Sequence, residues 1–202
     1  MTHFPLFFDL KDKDVLILGG GRLAFQRLEK LKPFGPRLRV ISDHISPQIR
    51  AVDGVVVEER PFSVLDLSPP PLLVILAEDR ERSALLYEEC KKRHIPVNAV
   101  DMPELCDVIF PSVIATEHLC VGISSGGISP TATVELKERI GSLIPDGLDP
   151  ILEWMLPARE MVKSSLPPER RNAALRKIFS LAMDKNRPLT EEELRELLLM
   201  QV

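Results

Sequence analysis

Residues 15 to 24 read Val-Leu-Ile-Leu-Gly-Gly-Gly-Arg-Leu-Ala, and no other stretch limits the fold so tightly. Four apolar residues make a short buried strand. Gly19, Gly21 and Ala24 then fall at the G-x-G-x-x-G/A spacing of a dinucleotide-binding loop. Gly19 allows a sharp exit from the strand, and Gly21, lacking a Cβ, lets a pyrophosphate lie against the main chain. Ala24 is small enough for the next helix to pack on the strand. That helix carries Leu23, Ala24, Leu28 and Leu31; it turns its free N–H groups and positive dipole end toward the phosphates. Glycine triplets also occur in plain turns, but this one follows a strand and opens a helix.

The first hundred residues alternate in the same way. Strand-like runs are Val15–Leu18, Leu38–Ile41, Gly54–Glu58, Leu72–Leu76 and Pro96–Val100. The first helix ends near Lys32-Pro33-Phe34-Gly35-Pro36, and another runs from an Asp79 cap to His94. Near-continuous apolar strands separated by helices predict an α/β fold with a Rossmann-type parallel sheet covered on both sides. Ligands of such sheets sit at the carboxyl ends of the strands. On that reading Gly19, Gly21, Arg22, Leu23, Ala24, Asp43, Ala77 and Asp79 line the cofactor.

After Pro111 the pattern changes. One strand is expected over His118–Ile123, then the loop Ser124-Ser125-Gly126-Gly127-Ile128-Ser129-Pro130 and a helix to about Gly141. Beyond Pro145 only helices are evident, near Asp149–Ser164, Pro168–Met183 and Glu191–Gln201; Thr190 and Glu193 have capping-box spacing before the last. A strand and helix standing alone must bury their apolar faces, and a second copy of the chain is the expected cover. The expected organisation is a Rossmann domain over 1–112, a small dimerisation segment over 113–145 and an α-helical C-terminal region over 146–202.

Composition narrows the function. The 202 residues are 45% hydrophobic and 28% charged with net charge -4, which gives no global signal for nucleic acid. Apolar runs are strand-sized, so no membrane span is expected. The N-terminus lacks the basic start and cleavage site of a secretory signal, and Cys90, Cys106 and Cys120 lack metal-ligand spacing. A cytoplasmic protein with reduced thiols follows. His3, His44, His94 and His118 form no ligand pair, so no metal site is assigned.

Several residues can carry chemistry. Asp43, two residues past the second strand, can accept hydrogen bonds from adenosine ribose hydroxyls and repel a 2′-phosphate, favouring NAD over NADP; it can equally cap the turn ahead of Pro47. Asp101 closes Val97-Asn98-Ala99-Val100-Asp101 at a strand's carboxyl end. There it can take a proton while hydride leaves a substrate, or simply cap a turn ahead of Pro103. Asn98 is ambiguous in the same way. Ser124, Ser125, Gly126 and Gly127 gather hydroxyl and N–H donors able to hold an anion, or form a turn capped by Ser129. Arg159, Lys163, Arg170, Arg171, Arg176 and Lys177 are dense enough to meet an anionic ligand, or make solvated helix faces.

In order along the chain, Phe4-Pro5-Leu6-Phe7, the glycine loop, Asn98-Ala99-Val100-Asp101, Phe110-Pro111-Ser112 and Ser124–Pro130 together resemble the precorrin-2 dehydrogenase family of siroheme biosynthesis, found also as the N-terminal part of siroheme synthases. The resemblance covers residues 1 to about 145. It implies a homodimer that uses NAD to oxidise precorrin-2 to sirohydrochlorin, a loss of two hydrogens. Asp101 matches the family's key aspartate. Ser125 matches an active-site serine that is phosphorylated in some relatives. The substrate, a polycarboxylate tetrapyrrole, gives the serine–glycine loop and the basic tail a physical purpose, with Asn98, Ser124, Ser125, Gly126 and Gly127 as its expected contacts.

The chain departs from the family pattern at three places. Gln26 and Arg27 stand where Arg-Lys is usual, Glu78 replaces a threonine beside the cofactor, and Thr133-Val134 replaces Ala-Arg. It also ends without the length of a methyltransferase module, so methylation is expected of another protein. Two alternatives stay open: a bifunctional enzyme that also inserts ferrous iron, and a non-catalytic NAD-binding sensor of the same fold.

Overall fold

The computed structural model describes residues 3–199, which divide between Phe110 and Pro111 into two compact units. In the first, β1 (Asp14–Leu18), α1 (Arg22–Leu31), β2 (Arg37–Ser42), the short α2 (Pro47–Arg50), β3 (Val55–Glu59), β4 (Leu73–Leu76), α3 (Arg80–Lys91) and β5 (Val97–Ala99) follow one another. The strands form one all-parallel sheet in the order β3-β2-β1-β4-β5. This is the Rossmann-type arrangement that the alternation predicts. The order reverses between β1 and β4, which opens a crevice at their carboxyl ends.

Apolar layers cover both faces of that sheet. Val15 and Ile17 point to one side with Ala24, Leu28, Leu31 and Ile49; Leu16 and Leu18 point to the other with Leu67, Leu86 and Cys90. Alternate residues of β1 therefore feed two cores, which is why the strand reads as an unbroken apolar run. Helix α1 stops where Pro33 and Gly35 require, with Gly35 in the left-handed region at φ 71°. Asp79 caps α3 by accepting from the Arg82 N–H at 2.9 Å.

The second unit holds β6 (Ser112–Ala115), β7 (Cys120–Ile123), α4 (Pro130–Gly141), α5 (Leu148–Ser165), α6 (Pro168–Lys185) and α7 (Glu191–Leu199). The expected lone strand is one arm of an antiparallel hairpin, with Val113 opposite Gly122 and Ile114 opposite Val121; His118 lies in the turn instead. That turn is held by Asp149 on α5, whose carboxylate accepts from the Thr116 hydroxyl at 2.6 Å and from the Glu117 and His118 N–H groups. Helices α5 to α7 share a core of Ile151, Val162, Ile178 and Leu194. Thr190 and Glu193 make both bonds of the predicted capping box, at 3.2 and 2.8 Å. The expected end of the last helix, beyond Leu199, lies outside the described residues. No helix among those described is long and apolar enough to cross a membrane.

Candidate dinucleotide site

The glycine loop leaves β1 under two constraints from its neighbours. Gly19, at φ 126°, sits so close to the strand beside it that a Cβ would lie 2.5 Å from the Ala77 carbonyl oxygen. Gly20 is tighter still, since its Cβ would fall 1.8 Å from the His44 carbonyl oxygen, and its own carbonyl accepts from the Ser46 N–H at 2.8 Å. At Gly21 the situation reverses: nothing lies within 4 Å of the Cβ position. Gly21 is the N-cap of α1, whose first turn has no side-chain cap and no acidic residue. Free N–H groups and the positive helix end thus face an open, uncompensated space of the kind a pyrophosphate fills.

Gly21 lines an open cleft of about 500 Å³. Its walls are the loops after β1, β2 and β4 and the first turn of α3, including Gly20, Gly21, Asp43, Ala77, Glu78 and Arg82. Asp43 is not a helix cap; Ser46 holds that position, accepting from the Ile49 N–H. Its carboxylate accepts from Arg82 Nη1 at 2.8 Å, and Glu78 Oε2 lies 3.8 Å from the same nitrogen. Burial pushes the Glu78 carboxyl above its ordinary value, against the pull of the Arg82 guanidinium. Asp79 is occupied as the cap of α3, and Ala24 is fully buried, contributing close helix–strand packing. Arg22 stands exposed at the first position of α1, and Leu23 packs against the core.

Asp101 follows β5 with φ 60°, in the left-handed region, and is exposed. It does not cap the turn at Pro103–Leu105; Met102 occupies that position without a side-chain bond. Arg27 of α1 feels the Asp101 charge, which offsets part of the lowering that burial imposes on the guanidinium. The same guanidinium lies 5.0 Å from the centre of the Phe110 ring. Asn98 is 3% exposed; its Nδ2 donates to the Val108 carbonyl at 2.8 Å, and its Oδ1 is buried without a partner. Beside it the Cys106 thiol accepts from the Ala99 N–H at 3.2 Å. Burial pushes that thiol up, and pushes Cys90 up to about 11, so neither is an activated nucleophile.

In the second unit the serine–glycine loop is a turn with internal bonds. Ser125 Oγ accepts from the Ser129 N–H at 3.0 Å and donates to its carbonyl, while Ser124 Oγ accepts from the Gly126 N–H at 3.1 Å. Gly126 and Gly127 both have positive φ, and a Cβ on either would meet open space. Ser129 caps α4 through the Ala132 N–H. Of the basic tail residues, Arg171 is committed to the Leu166 and Lys163 carbonyls and Lys163 to Glu160. No group of three or more His, Cys, Asp or Glu among the described residues is placed to hold a metal ion.

Sequence reasoning passed over Gly20, Ser46 and Arg82. Gly20 matters through its fit to the loop after β2, which a motif with "x" at that place conceals. Arg82 had a local signal, as the third residue after the Asp79 cap and therefore beside the end of β4.

Residues 6–112 match the model of a family described as putative NAD(P)-binding. A siroheme synthase of Thioalkalivibrio sulfidiphilus is 34% identical over 170 residues, covering 83% of this chain and 35% of its own length. One from Pseudomonas fluorescens strain SBW25 is 30% identical over 183 residues, covering 89% and 39%. The chain thus spans a little over a third of the length of these curated relatives. Among solved structures, one titled SirC, precorrin-2 dehydrogenase, has a similar fold, with a TM-score of 0.68 at 20% identity over 98% of both chains.

Proposed function

This chain belongs to the putative NAD(P)-binding family, and we propose that it is a cytoplasmic, homodimeric, NAD-dependent precorrin-2 dehydrogenase that forms sirohydrochlorin. The observation that carries the reading is the open space over Gly21, bordered by an uncapped helix start and belonging to a cleft that Asp43 also lines. The siroheme synthases that align over 83% or more of this chain support the substrate class.

Each residue then has a role. Gly21 and the first-turn amides of α1 seat the pyrophosphate, and Gly19 and Ala77 shape the floor beneath them. Asp43 accepts from the adenosine ribose hydroxyls, favouring NAD over NADP. Bound NAD supplies the hydride acceptor. Precorrin-2 loses a hydride and a proton, and the exposed Asp101 carboxylate takes the proton. Ser124, Ser125, Gly126 and Gly127 provide hydroxyl and N–H donors for substrate carboxylates. Asn98 shapes the β5 end from beneath, since its amide nitrogen is bound to Val108.

An anaerobic assay with precorrin-2 and NAD tests the reading. Sirohydrochlorin should form only when NAD is present. Asp101→Asn tolerates the left-handed backbone, so it removes the base without adding strain. It should lower turnover by two or more orders of magnitude, about 2.7 kcal/mol of barrier, with melting temperature and NAD affinity nearly unchanged. NAD binding without turnover by the unmodified chain would defeat the dehydrogenase in favour of a binding protein. Full activity in Asp101→Asn would remove Asp101 from the chemistry.

A further inference from the structure

Two carboxylates and one guanidinium share a wall of the cleft, each from a different place in the chain. Asp43 follows β2, Glu78 follows β4, and Arg82 occupies the first turn of α3. Arg82 Nη1 is 2.8 Å from Asp43 Oδ2 and 3.8 Å from Glu78 Oε2. An arginine beside a ribose site is the side chain suited to clamp a phosphate, because its planar fork matches phosphate oxygens. Here one nitrogen of that fork, Nη1, is already engaged by Asp43. The three groups together carry one net negative charge, two carboxylates against one guanidinium.

The pairing raises a difficulty for Asp43 acting alone. If the Oδ2 that holds Arg82 is the oxygen that turns to the ribose hydroxyls, Asp43 gives up Arg82, and a released guanidinium would welcome the 2′-phosphate that Asp43 is meant to exclude. Glu78 resolves this. It is the less exposed carboxylate, at 16% against 42% for Asp43, and it stands one small movement from the same nitrogen. Arg82 can pass to Glu78 as Asp43 engages the ribose, so Nη1 keeps a carboxylate partner.

We propose that Arg82 is a masked phosphate-binding cation, and that Asp43 and Glu78 together exclude NADP by keeping it occupied. The proposal rests on the reading of the cleft as a dinucleotide site. It also gives Glu78, the less exposed carboxylate of the cleft wall, a positive role in cofactor selection.

Calorimetric titration with NAD and with NADP tests it, the readout being the ratio of the two affinities. The unmodified chain should prefer NAD. Glu78→Gln should move the ratio toward NADP, and Asp43→Asn with Glu78→Gln should move it by about tenfold or more. Adding Arg82→Ala to that double variant should abolish the gain. Arg82→Ala alone should give no gain in NADP binding, because it removes the cation and leaves both carboxylates unpaired. An unchanged ratio in the double variant, or a gain that survives loss of Arg82, overturns the proposal. If the unmodified chain bound neither dinucleotide, the functional reading would fall and this inference with it. NAD binding with a fixed ratio would overturn the inference alone.

Discussion

Gly20 and Gly21 are neighbours in one loop, yet the space around them differs completely. A methyl group on Gly20 would collide with a backbone oxygen of the loop after β2, whereas one on Gly21 would enter the cleft and touch nothing. The first glycine is therefore required by the fold, whereas the second is free of any packing constraint and serves the proposed ligand. Gly20→Ala should cost about 1–3 kcal/mol of stability, the usual range for forcing atoms into packed space. Gly21→Val should keep stability to within about 1 kcal/mol and lose NAD affinity. Urea unfolding and calorimetry on both variants separate the roles. A Gly20→Ala protein as stable as the original would sink the packing argument, and a Gly21→Val protein that binds NAD normally would sink the phosphate seat.

Secondary-structure elements show how far local sequence reaches. β1 was legible because four apolar residues in a row leave few alternatives, and the starts of α3 and α7 were legible because Asp79, Thr190 and Glu193 act on amides within three residues. β6 was not legible. Its turn contains neither glycine nor proline and is held by Asp149, more than thirty residues onward. The cleft divides the same way: the glycine loop announces itself locally, while the pairing of Asp43 with Arg82 spans 39 residues and exists only once β2 and β4 flank β1. At the α7 cap, local and distant effects meet. Arg187 and Lys185, with the Thr190 N–H, hold the Glu193 carboxyl below the usual carboxylate range. A carboxyl depressed by folding contributes stability that is present above its unfolded value near 4.5 and lost as pH falls through the folded one. Glu193→Gln should thus lower the melting temperature at pH 7, and the gap from the original chain should close in progressively stronger acid. A gap that persists unchanged at pH 2 would show that the charge is not what the cap uses.

Burial is distributed unevenly along the chain, and this bears on its association. Val15 to Leu18 of β1 are at most 1% exposed, whereas no residue of β6 or β7 is fully buried, and α4 buries only Thr133. A two-stranded ribbon of four-residue strands is marginal alone, because its apolar side chains and strand edges face water. Beside it, Val134 and Leu136 on α4 are about half exposed, at 51% and 47%, and Ile128 in the preceding loop is 90% exposed. The proposed homodimer covers these groups with their symmetry mates, since a two-fold axis lets one apolar patch bury its own copy. Sedimentation velocity at micromolar concentration should then give a dimer. Leu136→Glu, which places a charge on the patch without touching a described core residue, should shift the population toward monomer while the near-complete burial of β1, in the other unit, keeps NAD binding intact. A monomeric original chain would leave the hairpin's exposure without a partner and refute the dimer. A Leu136→Glu protein that stays dimeric would move the interface away from α4.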